Sequence, residues 1–204
     1  MPVRLSDLFA TPDAVNIITT PEGVRWATDN SVVLRLTGHV PLTILDELAS
    51  LEDGGYHVRA RKPPVCLETP CFPGAKFAAH LEWLDAQPYT HVYDSPWTYR
   101  VENLSRRPLM TKPYGDVITT LVDAHLWDSI QAALGPVRRS IYTQHLQFAN
   151  GRGPIRLTVG HPDDAGSYLL GFLATVLVAA KMTVPVLPNL DGTGRCIGDV
   201  HVGV

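Results

Sequence analysis

The stretch from residue 115 to residue 160 constrains the fold more than any other, because all its local signals agree on a strand, a short amphipathic helix and a two-stranded hairpin. Residues 116 to 122 are mostly β-branched and apolar, as a half-buried strand requires, and Asp123 follows with a side-chain oxygen suited to capping a first helical turn. Leu126, Trp127, Ile130 and Leu134 then fall on one helical stripe, with Asp128, Ser129 and Gln131 off it. Gly135 and Pro136 stop that helix, since glycine takes the left-handed cap conformation and proline cannot continue the hydrogen-bond ladder. Two alternating runs, 141 to 148 and 155 to 159, flank Asn150, Gly151, Arg152, Gly153 and Pro154, which predicts a hairpin.

A chain of 204 residues buries one substantial core or two small ones, and 45% hydrophobic with 18% charged residues is the balance of a folded protein. The net charge of −3 opposes indiscriminate coating of nucleic acid but leaves room for a local basic face. Three cysteines, Cys66, Cys71 and Cys196, are too few for a disulfide framework, and the first residues lack a secretory apolar core, so a cytoplasmic location is expected. The longest apolar run, 168 to 180, contains Gly171 and falls short of the roughly twenty residues that span a bilayer, so it reads as a buried strand or core helix and no membrane partner is expected.

Residues 2 to 38 repeat the order of the central unit faintly: a short helix or strand over 3 to 9, then strands at 15 to 20, 24 to 27 and 31 to 36. Residues 41 to 51 predict a helix ended by Gly54 and Gly55, and residues 75 to 86 a second one closed by Gln87 and Pro88. Prolines interrupt the stretch from 56 to 114, which is expected to hold only short elements, among them a strand at 98 to 102. A turn at 161 to 166 precedes the apolar run, and a last strand is expected near 195 to 202. The fold class is therefore α+β: mostly antiparallel sheet with a few short helices in strand-helix-hairpin units. The reading is one domain over 1–204, with 1–55 and 115–204 as sub-units around a proline-rich insertion at 56–114.

Two segments resemble the DNA sliding-clamp family, specifically small clamp-like proteins related to the bacterial β clamp. Residues 22 to 36 are similar to its strand, Ala-Thr-Asp turn and strand, and residues 122 to 134 with the hairpin through 159 are similar to its strand, helix and hairpin. The resemblance implies a ring whose inner helices face duplex DNA with Lys and Arg, and it implies no catalytic residues. In this chain the central helix carries His125, Asp128 and Gln131, so the nearest cations are Arg138 and Arg139, just beyond it.

A second resemblance concerns the tail. Pro-Asn before Asp-Gly and a cysteine is similar to the catalytic segment of ubiquitin-conjugating enzymes, which implies Cys196 as thioester acceptor and Asn189 as oxyanion stabiliser. Cys196 also reads as a small buried residue of a last strand. Gly198, Asp199 and His201 match the Gly-Asp-x-His element of metallophosphoesterases without the further motifs that site needs, and Cys66, Cys71 and His80 lack the spacing of a zinc site, so no metal or cofactor is expected. Arg100, Arg106, Arg107 and Lys112, interleaved with Trp97, Tyr99 and Tyr114, form the main basic-aromatic cluster, suited to a protein interface or to nucleic acid. Arg59, Arg61 and Lys62 read as a solvated edge.

These residues favour a binding or assembly module over an enzyme: a clamp-like, replication-associated or phage-type accessory protein that self-associates, with a homo-oligomer or another protein as partner and DNA as a further candidate. The alternative from a different class is the cysteine-dependent transferase built on Cys196 and Asn189.

Overall fold

The amino-terminal meander exists because its turns hold residues that accept unusual backbone angles. The computed structural model describes residues 3–37, 43–59, 62–67, 73–94, 98–101, 104–110, 118–146 and 153–175, with backbone alone at 99–101 and 118–119. Strands β1 (Val15–Thr19), β2 (Arg25–Thr28) and β3 (Val32–Arg35) pair antiparallel, Ile18 opposite Trp26 and Ala27 opposite Leu34. Gly23 turns the first hairpin at φ +78° and Asn30 the second at φ 70°, a region that asparagine tolerates better than most side chains. The buried carboxylate of Asp29 accepts the N–H groups of Ser31 (2.9 Å), Val32 (2.8 Å) and Thr11 (2.6 Å), which fixes that turn and anchors the chain leading into β1.

The central unit has the order its residue pattern dictates: β10 (Ile118–Asp123), α3 (Ala124–Leu134), β11 (Ile141–Leu146), β12 (Ile155–Val159) and β13 (Tyr168–Leu173). Asp123 caps α3, its Oδ1 accepting the Leu126 N–H at 3.0 Å, and Gly135 ends the helix at φ +53°. The chain then makes a 3-10 turn, Gly135–Ser140, that the sequence reading leaves out. Residues 147 to 152, including Asn150 and Gly151 of the expected hairpin turn, lie outside the described residues, as do residues 195 to 202 of the expected last strand.

The two meanders meet at one seam. β13 pairs with β3, Gly171 opposite Leu34, Phe172 opposite Val33 and Leu173 opposite Val32, so the sheet order β1-β2-β3-β13-β12-β11 is symmetric about that pair. The 3-10 turn Leu5–Leu8 stands ahead of the first meander as α3 stands ahead of the second, and the two are in contact. The hairpin of β4 (Gly54–Arg59) and β5 (Lys62–Leu67) extends one edge, and β6 (Tyr89–His91) the other, to nine strands. A second sheet joins β10, β9 (Leu104–Met110) and β7 (Tyr93–Asp94), with β8 (Tyr99–Val101) also paired to β9.

Alternation along the strands splits the side chains between two cores. Val15, Ile17, Leu34 and Leu157 face Trp127 and Ile130 of α3, with Leu109 and Val122 from the second sheet in the same cluster. The opposite face presents Ile18, Trp26, Leu146 and Phe172 to α2 (Gly74–Asp85), which answers with Phe77, Leu81 and Leu84. Arg156 ties the end of α2 to this face through Asp85 at 2.6 Å, its guanidinium lying 5.0 Å from the Tyr89 ring.

Two expectations are corrected. Residues 41 to 51 do not run as one helix to Gly54: a 3-10 turn, Thr43–Leu45, leads into the four-residue α1 (Asp46–Ala49), and Gly54 and Gly55 open β4 instead of capping a helix. Arg25 explains the stop, because its guanidinium donates to the carbonyls of Ala49 and Leu51, and Asp53 beyond them accepts Thr19 N (2.8 Å) and Oγ1 (2.7 Å). Nor do prolines always interrupt a strand. Pro63 and Pro64 lie within the edge strand β5, and Pro108 sits in β9 opposite Leu121 of β10, between the residues that pair with β8 and those that pair with β7. Among the described residues no helix is long and apolar enough to cross a membrane.

The seam generates a direct prediction. A Cβ on Gly171 would stand 1.9 Å from the Val33 carbonyl oxygen, a backbone atom that can yield only by moving β3. Gly171→Ala is expected to lower unfolding free energy by about 1–3 kcal/mol in urea titration, and an unchanged midpoint would refute the close approach.

Candidate functional site

The basic residues divide into those whose charge is used inside the fold and those left at the surface. Arg106 and Arg107 are neighbours on β9 and point to opposite faces. Arg106 Nη1 donates to Asp123 Oδ2 at 2.9 Å, so the carboxylate that caps α3 also holds β9. Arg107 Nη2 donates to Asp128 Oδ1 at 2.5 Å, and its Nε lies 3.9 Å from Asp94 Oδ1. Only 13% and 12% of these two side chains is exposed. A guanidinium so covered and compensated projects little attraction toward a phosphate chain, so both act here as ties between α3 and the second sheet.

The rest of the expected basic-aromatic cluster is distributed differently. Tyr99 and Arg100 lie on β8, opposite Arg106 and Ser105 of β9, while Trp97 and Lys112 lie outside the described residues. Asn189 and Cys196 also lie outside them, as does Cys71. Cys66 is exposed on β5, and among the described residues no three His, Cys, Asp or Glu side chains converge as metal ligands.

Arg138 and Arg139 are exposed on the 3-10 turn after α3, beside a groove of about 560 Å³ shared with Gln131 and Pro136. Among the described residues neither has a carboxylate within ion-pair distance, and their place at a helix C-terminus is electrostatically favourable without any partner. A second groove, about 410 Å³, brings together Arg4, Arg59, Lys62 and Glu47 over Val3 and Ile44. Arg4 could not be foreseen there, because only the packing of the amino-terminal turn against β4 brings it to the β4–β5 hairpin. The third cavity, about 450 Å³, lies at the start of α3 and is lined by Asp7, Ser31, Arg106, Asp123 and His125.

Histidines also gather where the sequence shows only scatter. His91 stacks on Tyr142 at 4.2 Å between ring centres, meets Tyr93 edge-on at 4.3 Å, and Tyr142 in turn meets His161 at 4.6 Å. Strand pairing of β6 with β11 makes this ladder, and it joins residues far apart in the chain. Burial holds the His91 imidazole below its ordinary pKa; the Thr143 carbonyl opposes that shift and His161 adds to it. His145, on the next strand and 3% exposed, is likewise held down by burial, with the Gly153 carbonyl working the other way. Burial pushes the Tyr89 hydroxyl well above its ordinary value, against the attraction of Arg156 and with the help of Asp85, so it stays a donor to the Leu84 carbonyl at 2.6 Å.

No family model, no curated protein and no solved structure matches this chain.

The two depressed imidazoles set the sign of a pH dependence. Both are neutral in the fold near pH 7, while in the unfolded chain they take up protons around pH 6.5. Below about pH 6.5 the unfolded state therefore binds more protons, and stability falls as pH drops from there through the depressed native values. Urea midpoints measured from pH 7.5 to pH 5 are expected to fall less steeply for His145→Phe than for the unsubstituted protein, and equal slopes would refute the assignment.

Proposed function

We propose that the protein is a non-enzymatic accessory module of the clamp-like kind, which self-associates and works beside nucleic acid. The observation that carries this reading is the duplicated architecture: two meanders joined symmetrically at β3–β13, with the Leu5–Leu8 turn and α3 in contact on one face. Among the described strands such a unit closes one seam internally and keeps two outer edges, through which copies of the chain can associate. The edges are unequal. β5 carries Lys62, Pro63 and Pro64, which supply charge and remove N–H donors, so pairing between copies falls to the β6 side.

The charge pattern supports nucleic acid over a neutral partner. On a chain of net charge −3, Arg138 and Arg139 stay exposed beside α3, and contact through phosphates alone lets a protein move along a duplex without reading it.

Two measurements on the intact protein test this. Light scattering after size exclusion is expected to give at least a dimer, and duplex affinity is expected to fall steeply between 50 and 200 mM salt. Arg138→Glu with Arg139→Glu is expected to weaken duplex binding about tenfold and to reduce the salt slope by about 2. A monomer without salt-dependent duplex affinity would discard the reading.

A further inference from the structure

We propose that the groove between the amino-terminal turn, α1 and the β4–β5 hairpin is a phosphate-backbone site for double-stranded nucleic acid. This rests on the nucleic-acid reading above and assigns it a second, distinct contact surface. Among the described residues, three cations, Arg4, Arg59 and Lys62, border the groove against one carboxylate, Glu47. All four side chains belong to exposed residues, and among the described residues none of the three cations has an ion-pair partner. That contrasts with the interior, where Arg25, Arg106, Arg107 and Arg156 each sit against an aspartate. Keeping like charges together costs free energy through mutual repulsion unless an anion neutralises them.

The anchoring of these side chains is firm. Arg4 precedes Leu5, 8% exposed and part of the core, and Arg59 follows Val58, 2% exposed, so both cations project from backbone held by packing. The floor is aliphatic, formed by Val3, Ile44 and Pro63, and among the described residues no aromatic ring lines the groove. Without a ring to stack on, unpaired bases gain nothing there, whereas phosphates of a duplex meet long cationic side chains in an open channel. Electrostatics without base contact gives affinity that is independent of sequence and sensitive to salt.

The test is fluorescence anisotropy of a labelled random-sequence duplex with the full chain across 50–200 mM salt. It compares the unsubstituted protein, the triple variant Arg4→Ala, Arg59→Ala, Lys62→Ala, and the single variant Glu47→Gln. Urea midpoints confirm that each variant folds. The triple variant is expected to bind at least about tenfold more weakly at low salt, with a salt slope reduced by about 2–3. Glu47→Gln, which removes the one negative charge among the described lining residues, is expected to bind several-fold more tightly, a change that partial unfolding would not produce. A single strand of equal length is expected to bind no better than the duplex.

Duplex binding by the unsubstituted protein that neither substitution alters would overturn the groove while leaving the wider reading in place. Absence of duplex binding by the unsubstituted protein would overturn both. Salt-sensitive binding of polyglutamate but not of duplex, lost in the triple variant, would assign the groove to an acidic protein partner and overturn the proposal.

Discussion

Three residue pairs across β3 and β13 hold together two halves of the chain that are remote in sequence. Leu34, Val33 and Val32 stand opposite Gly171, Phe172 and Leu173, and the Ala174 N–H continues the ladder to the Ser31 carbonyl at 2.7 Å. Both core clusters span that line. On one face Ile17 and Leu34 of the first meander share a cluster with Leu157 and Leu170 of the second; on the other α2 covers Ile18 and Trp26 together with Leu146 and Phe172. Opening the seam would expose apolar surface on both faces at once, which ties the two halves into one cooperative unit.

Charge is organised around the same frame. Four part-buried arginines join elements that the sheet alone leaves loosely related: Arg25 with Asp53 binds the end of α1 to the β1–β2 hairpin, Arg156 with Asp85 fastens α2, and Arg106 and Arg107 link β9 to the start and the body of α3. These pairs are half-buried and gain from a lower local dielectric than surface pairs have. Arg4, Arg59, Lys62, Arg138 and Arg139, which have no ion pair among the described residues, face solvent in two grooves, one after α3 and one beside the β4–β5 hairpin. The same residue type ties elements together where it is paired and stays exposed where it is not.

Much of the architecture was readable from local pattern. Alternation, the Asp123 cap and the Gly135 stop are encoded within a few residues of where they act, so β10, α3, β11 and β12 follow from them closely, as does the meander around Gly23 and Asn30. What adjacency alone could not reveal was partner choice. Nothing near Val32 indicates that β3 pairs with residues 168 to 173, and nothing near Lys62 indicates that its strand reaches the β1 side of the sheet. The short α1 was misread because the groups that end it, Arg25 and Asp53, act through tertiary contacts. For the same reason the basic-aromatic reading around Arg106 and Arg107 missed their carboxylates, one of which, Asp128, lies on a helix folded against them. Arg4 is not legible as a groove residue, because an isolated cation carries no local signature.

Native-state amide hydrogen exchange shows whether β3 and β13 join both halves into a single unfolding unit. The amides of Leu34 and Phe172 are expected to exchange with the same free energy as those of Ile17 and Leu157 in the flanking strands, equal to the global unfolding free energy from urea titration. Exchange at β13 by a lower-energy opening that leaves β1 to β3 protected would contradict it.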